Sequence, residues 1–107
     1  MQAVQFSEHG DTDVLEYGEF PDPEPDEDEV LIDVKAAALN HLDVWTRRGL
    51  PGINLEMPHI PGSDAAGVVT EVGDEVSRFE PGDHVAVSAG VSCGNCEFCR
   101  DGEPSMC

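Results

Sequence analysis

Residues Ser92–Cys107 read SCGNCEFCRDGEPSMC and hold all four cysteines of the chain. The spacing is Cys93-x2-Cys96-x2-Cys99-x7-Cys107. Four thiolates close a tetrahedral shell around Zn²⁺ and leave no open position for water or substrate, so a site of this kind is structural rather than catalytic. The glycines and the proline between the ligands favour a loop that folds around an ion. The stretch therefore predicts one structural zinc held by these four cysteines.

Three other interpretations of this spacing stay open. Two disulfides are arithmetically allowed, although a chain without a signal peptide is expected in a reducing compartment. A redox Cys-x-x-Cys pair usually opens a helix after a strand, whereas this run is predicted to lie in a loop. An iron–sulfur cluster is the most serious rival, because a bacterial ferredoxin run begins with the same spacing. The x3-Cys-Pro continuation of that run is absent here.

The composition limits the class of protein. A chain of 107 residues with 39% hydrophobic residues is large enough for one domain with a single core. Five basic and 23 acidic residues give a net charge of −18, which argues against nucleic acid and anionic membranes as partners. The simpler interpretation of this charge is a solvated acidic surface. The more specific one is a halophilic source, in which salt screens the repulsion among the carboxylates. It predicts loss of compactness at low ionic strength.

The first ten residues, MQAVQFSEHG, contain no basic segment followed by an apolar run. They therefore predict neither a signal peptide nor a membrane anchor, and we expect a cytoplasmic protein.

Short strands dominate the predicted secondary structure. Alternation of apolar and polar residues predicts a strand from residue 30 onwards, and further strands are predicted at residues 2–6, 14–20, 65–72 and 84–88. Residues 22–29 carry six acids and two prolines and are predicted to form a loop, as is the proline-rich stretch 51–61. Many short strands without a long helix favour a mainly β fold, either a small barrel or a sandwich.

One short helix is predicted at His41–Arg48. Asn40 is a suitable N-cap, and Gly49 is a suitable stop. Leu42 and Trp45 fall on one side of this helix, so that Trp45 either packs into a core or forms the wall of a substrate site.

The lobe and four earlier segments resemble the zinc-containing alcohol dehydrogenases of the medium-chain dehydrogenase/reductase superfamily. Residues 1–6 resemble the first strand of that family, and residues 29–40, EVLIDVKAAALN, resemble its long strand and the following turn. PGSDAAGVVTEVG at residues 61–73 resembles its GHExxGxV segment, and PGDHVAV at residues 81–87 resembles its PGDrV strand. The segments occur in the family's order and cover the whole chain.

This resemblance implies a GroES-like, partly open antiparallel β-barrel with a short helix and a four-cysteine zinc lobe at residues 89–107. Residues 1–107 would be the N-terminal part of that domain, and the Rossmann domain would lie outside this chain, because no G-x-G-x-x-G is found between a strand and a helix. The implied activity is that of an NAD(P)H-dependent oxidoreductase. NAD or NADP would be its cofactor, and an alcohol, aldehyde, quinone or enone its substrate. The full-length protein would be a homodimer or homotetramer, and the fragment alone would be inactive.

The sequence departs from the alcohol dehydrogenases at the catalytic zinc. The family's C-x-[ST]-D reads NHLD at residues 40–43, and its G-H-E reads GSD at residues 62–64. Asn40 therefore replaces the cysteine ligand, and Ser63 replaces the histidine ligand. Carboxamide and hydroxyl groups are poor ligands for Zn²⁺ compared with thiolate and imidazole, so the usual catalytic zinc is predicted to be absent.

Another branch of the superfamily, the quinone oxidoreductase-like enzymes, fits these segments better. Its A-x-x-x-N-x-x-D stretch matches residues 36–43, and its P-G-x-[DE]-x-A-G-V-V stretch matches residues 61–69. Enzymes of that branch work without catalytic zinc and typically use NADPH to reduce a quinone or an activated C=C bond. Typical members lack the four-cysteine lobe. The chain thus resembles a mixed subgroup that keeps the structural zinc alone.

The resemblance assigns roles to three residues of the predicted turn and helix, each with a plainer alternative. Asn40 orients the substrate or the nicotinamide, or caps the helix. His41 approaches the cofactor pyrophosphate, where a cation is favoured, or lies on the surface. Asp43 fixes hydrogen bonds of the site, or stabilises the first helical turn. A rearranged metal site made of Asp43, His59 and Asp64 is a further alternative.

Two other functions stay open beside the oxidoreductase. One is a non-catalytic, zinc-stabilised structural or binding module. The other is a zinc alcohol dehydrogenase with rearranged ligands, which would bind two zinc ions per chain instead of one.

Overall fold

The computed structural model describes all 107 residues and contains five strands and two helices. These are β1 Gln2–Gln5, β2 Glu16–Glu19, β3 Val30–Ala38, α1 His41–Arg48, β4 Asp64–Val72, β5 His84–Ala86 and α2 Glu97–Arg100. Two 3₁₀ turns lie at Thr12–Val14 and Pro104–Met106. The predicted α1 is confirmed at both ends, and the predicted strands are confirmed with β2 and β5 shorter than expected. No helix has the length and apolar character needed to cross a bilayer.

The strands form two separate antiparallel sheets. β1 and β2 make a two-stranded ribbon, and β3, β4 and β5 make a sheet in that order. The pairing of β3 with β4 runs from Val30↔Val72 to Ala38↔Asp64, with two register shifts on the way. Because β3 and β5 are free edges, the sheets do not close, and the expected open antiparallel β architecture is confirmed.

Gly67 lets β3 and β4 approach closely. A Cβ atom at this position would clash with the backbone oxygen of Asp33 and lie 2.9 Å from Ile32 Cγ2. Glycine in a strand interior often marks such a close approach of another backbone. The pairing that positions the end of β3 against the start of β4 therefore depends on the absence of a side chain at Gly67.

Few side chains are buried. Phe6 and Val69 are 0% and 1% exposed, whereas Val34 on β3 is 54% exposed. Phe6 joins the ribbon to the loop before β4, because its backbone exchanges two hydrogen bonds with His59, at 3.0 and 2.9 Å. The ribbon and the sheet are thus connected by backbone pairing around one buried aromatic ring.

A second contact fastens the ribbon to the end of α1. The Gly10 N–H donates to the Arg47 carbonyl at 3.0 Å, and Arg47 Nε donates to the Gly10 carbonyl at 3.3 Å. His9 Nδ1 lies 3.0 Å from the carbonyl oxygen of Thr46. Arg47 is only 9% exposed, so its aliphatic stem is packed, while its guanidinium group bonds to the turn at Gly10. This contact holds residues 9 and 10 beside the helix that follows Asn40 and carries Asp43.

Candidate metal centre and neighbouring cavity

The four cysteine sulfurs converge on one point. All four Sγ atoms lie within 4.8 Å of one another, with Cys96 and Cys99 at 3.4 Å and Cys93 and Cys99 at 4.0 Å. A tetrahedral Zn–S shell with bonds of about 2.3 Å has S···S edges of roughly 3.8 Å. None of the four, Cys107 included, is joined in a disulfide. The spacing of the sulfurs fits a single tetrahedral ion.

The backbone around the first ligand favours a thiolate. Gly94 adopts φ 75°, a left-handed conformation that turns the chain back over Cys93. The N–H groups of Asn95 and Cys96 then donate to Cys93 Sγ at 3.4 and 3.3 Å. These two hydrogen bonds are the largest of the contributions that lower the pKa of the Cys93 thiol to about 6. The thiolate is the form that binds metal, so the turn prepares this ligand.

A helical turn, absent from the sequence prediction, places the next two ligands. The loop predicted for the whole lobe is wrong between Glu97 and Arg100, where α2 forms with Cys96 at its N-cap. The glycines and proline of the lobe lie outside these four residues, so nothing in EFCR opposes helix. Cys96 and Cys99 are three residues apart and share one face of the turn. The backbone N–H of Cys99 lowers the pKa of the Cys96 thiol.

Asn40, at the position of the expected cysteine ligand, is bonded to two nearby carboxylates. Asn40 Nδ2 donates to Asp64 Oδ2 at 2.6 Å, and the Asn40 backbone N–H donates to Asp43 Oδ2 at 2.8 Å. The pairing of Ala38 with Asp64 at the end of the β3–β4 ladder brings the two stretches together. Asn40 precedes α1 as predicted and forms a capping box with Asp43, while its carboxamide nitrogen reaches the neighbouring strand.

His41 and Trp45 lie on the outer face of α1. Their ring centroids are 5.5 Å apart, and the planes are inclined by 44°. Trp45 is 50% exposed and Leu42 is 47% exposed, so the interpretation of Trp45 as a core residue is wrong. The most buried residue of the helix is instead Arg47, whose partners lie in the ribbon and leave no local sequence signal.

A cavity of about 300 Å³ opens beside Asp43. Its apolar wall is formed by Leu42, Leu50, Ile53 and Leu55. Its polar groups come from Asp43, Thr46, Ser63, His9 and His59. The volume is at the lower end of the range for small-molecule sites, and the mixture of apolar wall and few polar groups is typical of them.

The alternative metal site is not assembled. Asp43 and His59 line the cavity, whereas Asp64 is bonded to Asn40. The only group of three or more metal-ligating side chains within coordinating range is the four-cysteine cluster. His9 is not recognisable from the sequence, because its contact with Thr46 spans 37 residues of chain. No local motif marks it.

Comparison with known proteins places the fold. A model of the alcohol dehydrogenase GroES-like domain matches residues 26–107. An alcohol dehydrogenase of Schizosaccharomyces pombe is 39% identical over 106 residues, which are 98% of this chain and 30% of that protein. The crystal structure of an NAD-dependent alcohol dehydrogenase superposes with a TM-score of 0.91 at 48% identity, over 100% of this chain and 31% of that one. Escherichia coli quinone oxidoreductase complexed with NADPH superposes with a TM-score of 0.74 at 34% identity, over 80% and 26%.

The fold and the cysteine cluster define a GroES-like domain with a metal-binding lobe. The chain belongs to the alcohol dehydrogenase GroES-like domain family, within the medium-chain dehydrogenase/reductase superfamily. Its relatives include alcohol dehydrogenases and quinone oxidoreductases. The chain spans about three tenths of the length of the relatives that it matches.

Proposed function

We propose that this chain is the substrate-side domain of an NAD(P)H-dependent oxidoreductase that keeps a structural zinc and has no catalytic zinc. Cys93, Cys96, Cys99 and Cys107 are the proposed zinc ligands. The observation that carries the proposal is the 2.6 Å hydrogen bond between Asn40 and Asp64. Asn40 stands where the alcohol dehydrogenases have a cysteine ligand, and Asp64 directly follows the position of their histidine ligand.

The bond joins the two groups to each other in the absence of an ion. The carboxamide of Asn40 is neutral, and its nitrogen, which has no lone pair to offer a metal, donates to Asp64. The carboxylate oxygen of Asp64 that accepts this bond would have to give it up to coordinate an ion. Ser63 supplies a neutral hydroxyl where an imidazole would be needed. The replaced positions therefore form a hydrogen-bonded pair that holds itself together without an ion.

The proposed roles follow from the positions of the side chains. The bond to Asp64 uses only the carboxamide nitrogen of Asn40, so its oxygen, which faces the first turn of α1, is the proposed atom that orients a substrate or the nicotinamide. Asp43 anchors the Asn40 backbone and borders the cavity. His41 is exposed at the first position of α1, where its side chain is accessible to a cofactor phosphate. A bound nicotinamide would supply the hydride.

The remaining expectations belong to the longer protein. We propose that a Rossmann domain outside this chain provides the nucleotide site, and that the exposed apolar face of β3 around Val34 is covered in that protein. An alcohol, aldehyde, quinone or enone is the proposed substrate, and a homodimer or homotetramer the proposed assembly. A reducing, cytoplasmic setting would keep the four thiols available to zinc.

Metal analysis tests this proposal. The chain is purified under reducing conditions, and its zinc content is measured by plasma mass spectrometry for the wild type, Asp64→Asn and His59→Asn. One zinc per chain in all three supports a structural zinc and a metal-free second position. Two zinc ions that fall to one in either variant would favour an alcohol dehydrogenase with rearranged ligands. For the longer protein, zinc binding without any oxidation of NADH or NADPH by alkanals, quinones or enones would favour a non-catalytic module.

A further inference from the structure

His9 carries a defined proton at the edge of the cavity. Its Nδ1 lies 3.0 Å from the carbonyl oxygen of Thr46. A carbonyl oxygen only accepts, so Nδ1 must donate and must carry the hydrogen. In the neutral imidazole, Nε2 is then an acceptor with a free lone pair. The contact with the end of α1 thus fixes the tautomer as well as the position of the ring.

The ring is held from several sides before any ligand arrives. Its centroid is 5.9 Å from that of the buried Phe6. Gly49 leaves room for it, because a Cβ at that position would lie 3.2 Å from His9 Cγ. The hydrogen bond from Gly10 to the Arg47 carbonyl fixes the adjacent backbone. An acceptor that is already oriented loses little conformational entropy when a ligand binds.

The cavity that His9 borders disfavours anions. No lysine or arginine lines it, and the carboxylate of Asp43 does. The net charge of −18 adds to this repulsion. Its apolar wall, which includes Leu42 and Leu50, suits a hydrocarbon body. The matching ligand is an uncharged molecule with an apolar body and one hydroxyl or N–H group.

We propose that His9 Nε2 is a specificity-determining acceptor, which receives a hydrogen bond from the hydroxyl of a neutral, apolar small molecule bound in this cavity. The proposal rests on the proposed function only in that the bound molecule would be a substrate or product of the oxidoreductase. The selection of hydroxyl-bearing ligands is a property of the chain itself and is measured without turnover.

Imidazole ¹⁵N NMR of the zinc-loaded chain at pH 8 tests the tautomer and the contact together. The expected spectrum shows His9 as the Nδ1–H tautomer. Addition of 1-hexanol shifts the Nε2 resonance of His9. Hexyl methyl ether, which has no donor, binds about fivefold more weakly, as the loss of one neutral hydrogen bond predicts. Hexanoate, with its negative charge, binds more weakly than either. An Nε2–H tautomer, or no binding of 1-hexanol, would refute the proposal.

His9→Asn separates recognition from folding. The shorter amide keeps a donor near the position of Nδ1 but has no atom at the position of Nε2, so the melting temperature should stay near that of the wild type while the preference for 1-hexanol over the ether disappears. His59→Asn, at another part of the cavity lining, should keep that preference. An unchanged preference in His9→Asn would overturn the assignment. Absence of NADPH oxidation by the longer protein, with the preference intact, would count against the proposed function alone.

Discussion

The zinc lobe, residues 89–107, and the β3–β4 pair are ordered by different means. The lobe contains no strand, and its side chains Phe98 and Met106 are 41% and 60% exposed. α2 packs against the 3₁₀ turn Pro104–Met106 within the same lobe. The β3–β4 pair has a ladder of eight residue pairs, interrupted by two register shifts, and the closely packed Gly67.

The difference shows which forces are available to each region. Phe98 and Met106 leave much of their apolar area in water, so burial contributes little to ordering the lobe. A metal bound only by the folded form adds the larger part of its stabilisation. In the sheet, backbone hydrogen bonds and close contact supply it. One region therefore depends on its ligand chemistry, and the other on its steric fit.

The largest effect is expected from Cys107→Ser. Removal of one thiolate from a four-thiolate shell should lower the zinc affinity by more than the roughly 100-fold that can follow loss of an outer-shell partner. Zinc measured after dialysis should fall from one per chain to none, and amide exchange should accelerate across the lobe while β3 and β4 keep their protection. Ser105→Ala, two residues away, is the matched control and should keep its zinc. Full retention of zinc by Cys107→Ser would show that this cysteine is not a ligand.

Gly67→Ala addresses the other region. The added Cβ would meet the Asp33 carbonyl, so the strands must separate, and we expect a loss of about 1–3 kcal/mol in the free energy of unfolding. Chemical denaturation followed by near-UV circular dichroism measures it. Gly90→Ala adds the same methyl group where nothing lies within 4 Å and should be nearly neutral. Equal stability of the two variants would contradict the close approach described for β3 and β4.

The smallest effect concerns the protonation of the metal-free lobe. The pKa of Cys93 is lowered from an ordinary value near 9 to about 6, chiefly by the N–H groups of Asn95 and Cys96. For a thiol whose folded pKa is depressed, the added stability is complete above pH 9 and is lost as the pH falls through about 6. Alkylation by iodoacetamide, followed by peptide mass spectrometry between pH 5 and 9, should find Cys93 half-maximally reactive near pH 6.

Cys107 provides the internal comparison for that experiment. Its pKa is raised, because hydrogen bonds among the thiols outweigh the lowering by the Cys93 backbone. As the pH is lowered, the alkylation of Cys107 should therefore decline at a higher pH than the alkylation of Cys93. Identical pH profiles for the two residues would mean that the turn at Gly94 does not prepare the first ligand.

The sequence predicted those features that local chemistry determines. The four-cysteine cluster follows from spacing, α1 from its cap and its terminal glycine, and the strands from alternation and turn residues. The helical turn α2 was missed because four residues give too short a pattern to detect. The adaptation to high salt stays a prediction.

Contacts between distant residues were beyond sequence reasoning. The replacement of ligands at Asn40 and Ser63 was visible, but the bond between Asn40 and Asp64 depends on the β3–β4 register. His9 and Arg47 acquire their roles through partners 37 residues away in the chain. Such pairings are decided by how the ribbon packs on α1, and no periodicity or motif of either segment encodes it.

The way the ribbon is attached has a consequence for chain cleavage. Residues 23–25 lie between two hydrogen-bonded anchors. On one side, the Asp22 side chain accepts a hydrogen bond from the N-terminal ammonium. On the other side, the carbonyl groups of Glu27 and Glu29 accept backbone hydrogen bonds from the turn at Gly73. A protease that cuts between these anchors, in an exposed stretch of two prolines, would sever the covalent link but none of those bonds. The ribbon would then remain as a bound peptide, held by Phe6 and by the contact with α1. The domain is thus suited to fragment complementation, with a short N-terminal peptide that is synthesised separately and added back.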